Sequence, residues 1–264
     1  MKKSLVRLRR IPQRISQDLR IIRLVRNWKE VLAAKWKRKP FTQIKLRNGI
    51  QLKGPAAVDL NFLFHEIWID KIYTPAGYEI NPGDTSIDIG GNIGLFAIYA
   101  AVRKPHTKVY SFEPFPSNAR FFLQNIQQNN LSRIKLYEKA VTGKKGNRFL
   151  NVSDSWVSHS LSPEKEDGKG IEVGGITLNE ILEETKKCDL LKIDCEGSEY
   201  EIFYSTSHED LQKIHRVVCE YHNNKEGNGP GLKEYFEKNS FQIDVFRKLG
   251  ENTGLICATN LNFR

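Results

Sequence analysis

The sequence predicts an α/β fold, a mostly parallel sheet with helices on both faces. Three observations carry this expectation. From Ser86 onward, strand-like and helix-like apolar runs alternate: SIDIG, GLFAIYAAV, KVYSFEP, PSNARFFLQNIQQNN and IKLYEKAV. The junction SIDIGGNIGL, from Ser86 to Leu95, places Gly90, Gly91 and Gly94 between an apolar strand and an apolar helix. The alternation resumes after Thr177 with a helix, the buried strand DLLKID and the strand IHRVVCEYH.

Taken in order, the chain begins with a basic arm in which Ile21, Val25, Trp28, Leu32 and Trp36 recur at steps of three and four. That spacing predicts one helix with an apolar stripe, packed on the main domain or laid on an anionic membrane surface. QIKLRNGIQLKG reads as a hairpin turning at Arg47-Asn48-Gly49, and a helix is expected from Asp59 to Lys71. NPGDT breaks the chain before the alternating region. The stretch from Lys144 to Gly170 reads as a long surface excursion. Thr177-Leu178-Asn179-Glu180 has the form of a capping box, so a helix should start there and run to about Lys187. A further helix is expected to begin near Cys195-Glu196-Gly197, another around LKEYFEKN, and FQIDVF and LICAT should close the sheet. This parses as an extension, residues 1–40, followed by a domain, residues 41–264.

The net charge of +10 belongs to the arm, because Met1 to Pro40 holds 14 Lys and Arg against Asp18 and Glu30. The rest is slightly acidic, so the high isoelectric point says little about what the domain binds. Nucleic acid is the least favoured partner of the arm, and an anionic membrane surface is preferred to it. Cys188, Cys195, Cys219 and Cys257 are too dispersed for a zinc site or a disulfide framework and read as reduced thiols of a cytoplasmic protein. No apolar run approaches the roughly 18 residues of a membrane span, and MKKSLVRLRRIP lacks the apolar core of a signal peptide. Any membrane association would then be peripheral, at the inner face.

A strand that ends in glycines and opens into a helix offers free amides at the carboxyl edge of the sheet, where such folds bind ligands. The dinucleotide fingerprint G-x-G-x-x-G is absent, and Asp88 beside the loop would repel a pyrophosphate. Glu113, 19 residues after Gly94 at the end of KVYSFEP, is placed to accept hydrogen bonds from two ribose hydroxyls. A nucleoside that lacks phosphates and carries positive charge is S-adenosylmethionine.

With these residues in view, the region from Phe41 to Thr259 resembles the FkbM-type S-adenosylmethionine-dependent methyltransferases. The marks are NPGDTSIDIGGNIGLFAIYAA, VYSFEPFPSNARFFLQNI, ITLNEIL, LLKIDCEGSEYEI and VVCEYH, which contain D-x-G-x-N-x-G, F-E-P and K-x-D-x-E-G-x-E in the family's order. Gly91 stands where the family more often has alanine. The resemblance implies a Rossmann-like class I methyltransferase fold with seven strands, one antiparallel near the end. It implies that Asp88, Gly90, Asn92 and Gly94 surround the methionine part of the cofactor, that Glu113 holds the ribose, and that Ala140 and Val141 flank the adenine. It also implies a hydroxyl acceptor on a sugar, glycolipid or other small metabolite.

Methyl transfer needs alignment and exclusion of water, and a hydroxyl nucleophile also benefits from a base. Candidate catalytic residues are His222 after the strand VVCE, His159 in the excursion, and Asp194 at the end of the fourth strand, facing the cofactor's ammonium or the acceptor. Glu196 is either a site residue or a charge at a helix start, and Glu199 is either a site residue or solvated. Asp194, Glu220 and His222 are the side chains a divalent metal would use, but no metal site is assigned. Competing readings are an RNA or protein methyltransferase that captures its substrate with the arm, and a non-catalytic cofactor-binding or membrane-docking module. Oligomeric state is left open.

Overall fold

The computed structural model describes residues 15–37, 39–56, 58–151, 160–162 and 170–263. Seven strands form the central sheet: β1 (Thr85–Ile89), β2 (Lys108–Phe112), β3 (Ile134–Tyr137), β4 (Cys188–Ile193), β5 (Ile214–His222), β6 (Phe241–Lys248) and β7 (Thr253–Asn260). Their order is β6-β7-β5-β4-β1-β2-β3. All neighbours are parallel except β7, which runs antiparallel to both β5 and β6. This is the class I methyltransferase arrangement of the Rossmann-like fold.

The alternation of side chains along the strands assigns them to two apolar layers. Leu190, Val218, Leu255 and Cys257 face one layer with α1 (Leu95–Arg103), while Leu191, Val217 and Ile256 face the other. The second layer is completed by α3 (Leu178–Thr185), α4 (Glu199–Ser205) and α5 (Gly229–Lys238). Helix α2 (Pro116–Gln128) packs Phe122 into the first layer. The capping box of α3 forms as read, with Thr177 and Glu180 satisfying each other's backbone amides.

Three local expectations are corrected. The amino-terminal stripe is two helices, 15–24 and Trp28–Lys37, because Val25 leaves the helix to bridge Leu46 of the hairpin. Ile21, Val25, Val31 and Leu32 are buried in the first layer, whereas Trp36 is 73% exposed and Val31 takes its place. The flanks of the excursion are strands: Gly146–Asn151 pairs antiparallel with Ile171–Ile176 in a small separate sheet that also includes Ala140–Val141 and Ser160–Ser162. Finally, α4 starts at Glu199, since Glu196 and Gly197 adopt positive φ (57° and 112°) in a turn that precedes it.

The hairpin turning at Gly49 forms, between Gln43–Lys45 and Gln51–Lys53. The expected helix at Asp59 changes type: Leu60–Phe64 is α-helical and His65–Asp70 is a π-helix, ended by Lys71 at φ 55°. A π segment widens the turn and redirects side chains. Here Glu66 and Ile67 line the cleft at the carboxyl edge of the sheet. Among the described residues, no helix is long and apolar enough to cross a membrane.

Candidate active site

A cleft of about 450 Å³ opens where β1, β2, β4 and β5 end. The glycine loop forms its floor. Gly90 has φ 79°, and a Cβ there would collide with the carbonyl oxygen of Asp194, so only glycine lets β1 and β4 end this close together. Asn92 follows at φ 49°, a left-handed conformation that asparagine tolerates, with its Oδ1 accepting from the amide of Ile93 at 2.7 Å.

Glu113 is 5% exposed and meets the loop directly. One carboxylate oxygen accepts from the amide of Asn92 at 2.7 Å and the other from the amide of Phe115 at 2.9 Å. Burial pushes its pKa up to about 7 against the opposing effect of these amides. Gly90, Asn92, Glu113, Ala140, Val141 and Asp194, all named from the sequence, line the cleft together.

Asp88 and Gly94 do not. Asp88 is fully buried behind the loop, accepting from Ser111 Oγ at 2.7 Å and lying 3.2 Å from Lys192 Nζ. Gly94 caps α1 at φ 89° against the ring of Phe122. Because Lys192 compensates Asp88, the repulsion of a pyrophosphate does not come from Asp88 as expected. It falls instead to the carboxylates on the cleft wall, Asp59, Glu66, Glu113, Asp194, Glu196 and Glu220, against Lys192 alone. Lys192 also donates to the carbonyls of Gly90 (2.7 Å) and Ile89 (3.3 Å), which ties β4 to the loop.

Tyr73 was not found by sequence reasoning. Its hydroxyl lies 2.8 Å from Asp194 Oδ2 and 3.2 Å from Glu220 Oε2, so one proton bridges two acids. Burial and then the charges of these two acids push its own pKa well up. Glu66 was missed as well, and burial followed by the charge of Asp194 raises it to about 7. A usable signal existed: Asp59, Phe62, Leu63, Glu66 and Ile67 recur at helical spacing, so that two acids share one face with three apolar residues.

His222 sits at the end of β5 beside this group. Its Nδ1 is 2.9 Å from Glu199 Oε1 and its Nε2 is 3.5 Å from Glu196 Oε2. Burial works to lower its pKa, but Glu199, Glu196 and Asp194 outweigh burial and hold it up, at about 9. These acids favour the imidazolium, which works against the neutral imidazole expected of a general base. Glu199 is fully buried rather than solvated, accepting also from the amides of Cys195 (3.3 Å) and Gly197 (3.1 Å). One ligand atom each from Asp194, Glu196 and His222 lies within 4.8 Å of the others. Cys195 borders the cleft, and all four cysteines are free. His159 lies outside the described residues.

A family model described as the methyltransferase FkbM domain matches residues 88–250. The chain belongs to the FkbM methyltransferase family. It is an S-adenosylmethionine-dependent methyltransferase. Among characterised relatives, "Methyltransferase 1" of Beauveria bassiana is 28% identical over 74% of this chain and 86% of its own length. The 31-O-demethyl-FK506 methyltransferase FkbM of Streptomyces tacrolimicus is 26% identical over 68% of this chain and 81% of its own. Among solved structures, the METTL16 methyltransferase domain aligns with a TM-score of 0.48 at 13% identity, covering 81% of this chain and 90% of that one.

Proposed function

We propose that this FkbM-family enzyme methylates a hydroxyl oxygen of a small polyhydroxylated metabolite, a sugar or glycolipid being the favoured class. The observation that carries the reading is the acidic cluster in the cleft. The glycine loop and Glu113 line it together with a cluster of acids, Glu66, Asp194, Glu196 and Glu220, in which burial and the charge of Asp194 raise the pKa of each of the other three. Carboxylates accept hydrogen bonds from hydroxyls, and several together suit an acceptor with several hydroxyls. The Streptomyces relative is named for methylation at an oxygen, which supports an oxygen acceptor here. A polyanion such as RNA would meet the same carboxylates as repulsion, which counts against the arm serving to capture nucleic acid.

S-adenosylmethionine, when bound, supplies a methyl group on an activated sulfonium. The residues present fit it. Beyond the amides of Asn92 and Phe115 and the side chain of Asn118, Glu113 keeps acceptor capacity toward the cleft, which suits ribose hydroxyls. The apolar walls at Ala140, Val141, Phe115 and Leu150 suit a purine. Asp194, bridged to Glu220 by Tyr73, faces the site of transfer and orients the acceptor. Glu220 takes the acceptor's proton in this reading. His222, engaged on both ring nitrogens, holds the turn at Glu196 in place and does not act as the base.

Calorimetric titration of the full chain with S-adenosylmethionine tests the cofactor half, and Glu113→Ala should weaken binding at least tenfold. Comparison of methylated metabolites and glycolipids in cells with and without the gene tests the acceptor half. Loss of a methylated nucleoside or protein residue, with no change in small hydroxylated metabolites, would overturn it.

A further inference from the structure

We infer that Asp194, Glu196 and His222 form a binding site for a divalent cation, held by two carboxylates and one imidazole. Two neighbouring strands deliver these residues. Ile193 pairs with Cys219 in the parallel register of β4 and β5, so Asp194 emerges beside Glu220 at the carboxyl edge and His222 follows two residues farther along the same face of β5. Glu196 returns to them because residues 196 and 197 turn at φ 57° and 112°. A glutamate at positive φ costs about 1 kcal/mol or more, and the fold keeps that cost where it aims a carboxylate at His222. The set differs from the sequence-based one in that Glu196 replaces Glu220, because it is a carboxylate oxygen of Glu196 that comes within 4.8 Å of the ligand atoms of Asp194 and His222.

A separate observation concerns the ring itself. Glu199 is not one of the three ligands, yet it is fully buried, anchored by two amides, and bonded to His222 Nδ1 at 2.9 Å. Its second oxygen is buried without a hydrogen-bond partner among the described residues. A carboxylate fixing one nitrogen of a histidine, with the other facing a ligand set, is the arrangement that orients metal-binding imidazoles. The other nitrogen, Nε2, stands 3.5 Å from Glu196 Oε2, and a bound ion would take the place of the proton carried there. Neighbouring ligand atoms on an octahedral ion of about 2.1 Å bond length are about 3 Å apart, whereas these three lie within 4.8 Å of one another, so the side chains close in on the ion to complete the site. The donor set favours Mg²⁺ or Mn²⁺ over the thiolate-seeking metals. The wall carries Lys192 as its sole cationic side chain, and Lys192 is already paired with Asp88, so a second positive charge is accommodated.

For the reaction proposed above, such an ion would coordinate the acceptor hydroxyl and lower its pKa, while the released proton passes to Glu220. That use rests on the proposed function, whereas binding of the ion does not. The test is a titration of the full chain with Mn²⁺ alone, followed by electron paramagnetic resonance and by calorimetry. One Mn²⁺ per chain is expected. Glu196→Gln and His222→Gln should each weaken it at least tenfold, and Glu199→Gln by 10- to 100-fold. Glu66→Gln, an acid of the same cleft outside the set, should change it less than twofold. Absence of Mn²⁺ binding at 1 mM, or equal weakening by Glu66→Gln and Glu196→Gln, would overturn the site. Glu196 is partly exposed in a turn, so its variant decides the question even if Glu199→Gln does not fold. Retained S-adenosylmethionine binding without Mn²⁺ binding would remove this inference and leave the proposed function standing.

Discussion

Lys192 and Asp88 form an ion pair at 3.2 Å with side chains 4% and 0% exposed, directly beneath the glycine loop. Two buried charges are tolerable only while they compensate each other, and removing one leaves the other unpaired in an apolar setting. Lys192→Met should therefore destabilise the fold by about 3–5 kcal/mol and loosen the loop whose carbonyls it holds. The double variant Asp88→Asn/Lys192→Met should lose less than the two single variants together. Denaturant unfolding of the four proteins measures this, and strict additivity would show that the pair acts as two independent side chains.

Adjacent glycines in the loop should respond unequally to alanine. At Gly90 an added methyl meets a backbone carbonyl and the φ of 79° is itself unfavourable, so Gly90→Ala should cost more than about 3 kcal/mol and abolish cofactor binding. At Gly91 the methyl meets the Ser111 hydroxyl and, at 2.8 Å, the ring of Phe122. This chain has given that space to Ser111, which donates to Asp88. Gly91→Ala should cost about 1–2 kcal/mol. A double-mutant cycle with Ser111→Ala should show coupling above about 0.5 kcal/mol, and zero coupling would mean the strain comes from elsewhere.

The glycine loop and Glu113 were legible because their chemistry is local. A positive-φ turn requires glycine, and an acid at a fixed distance along a βαβ unit lands on the neighbouring strand end. The mostly parallel sheet followed from the same units, and its seven strands with one antiparallel near the end from the resemblance. Less legible was anything set by contacts between distant segments. Asp88 reads as a ligand in one dimension, but Lys192, 104 positions away, turns it into a buried partner. His222 reads as a base until Glu199 and Glu196 are seen around it. The helical stripe through Val25 was broken by pairing with Leu46, a tertiary choice that helix periodicity does not register.

The boundary at Pro40 yields a further prediction. Ile21, Val25, Val31 and Leu32 lie in the same apolar layer as Leu60, Phe64 and Trp68, and Arg20 donates to the carbonyl of Ile69 at 2.8 Å. Burial of four aliphatic side chains contributes about 1.5–3 kcal/mol each, a sum comparable to the whole stability of many domains. Deleting residues 1–40 should lower the melting temperature by about 10 °C or more, or leave the product insoluble. An unchanged melting temperature would establish that the extension is a separate appendage.

Glu113 predicts opposite pH trends for binding and for stability. Its pKa, pushed up to about 7 by burial, exceeds the value it has when unfolded, so the folded chain binds the proton more tightly. The contribution of Glu113 to stability is then fully present below the unfolded pKa and is lost as pH rises through about 7, an effect of about 3 kcal/mol at most. Cofactor binding runs the other way, because only the carboxylate accepts from both ribose hydroxyls. Affinity for S-adenosylmethionine should fall about fivefold from pH 7 to 6 and about tenfold per unit below that. Glu113→Gln should bind 10- to 100-fold more weakly at pH 8, lose most of this pH slope, and unfold with a flatter pH profile than the parent. Titration calorimetry and thermal melts across pH 5.5–8.5 give both curves. A slope that persists in Glu113→Gln would assign the titration to another acid of the cleft.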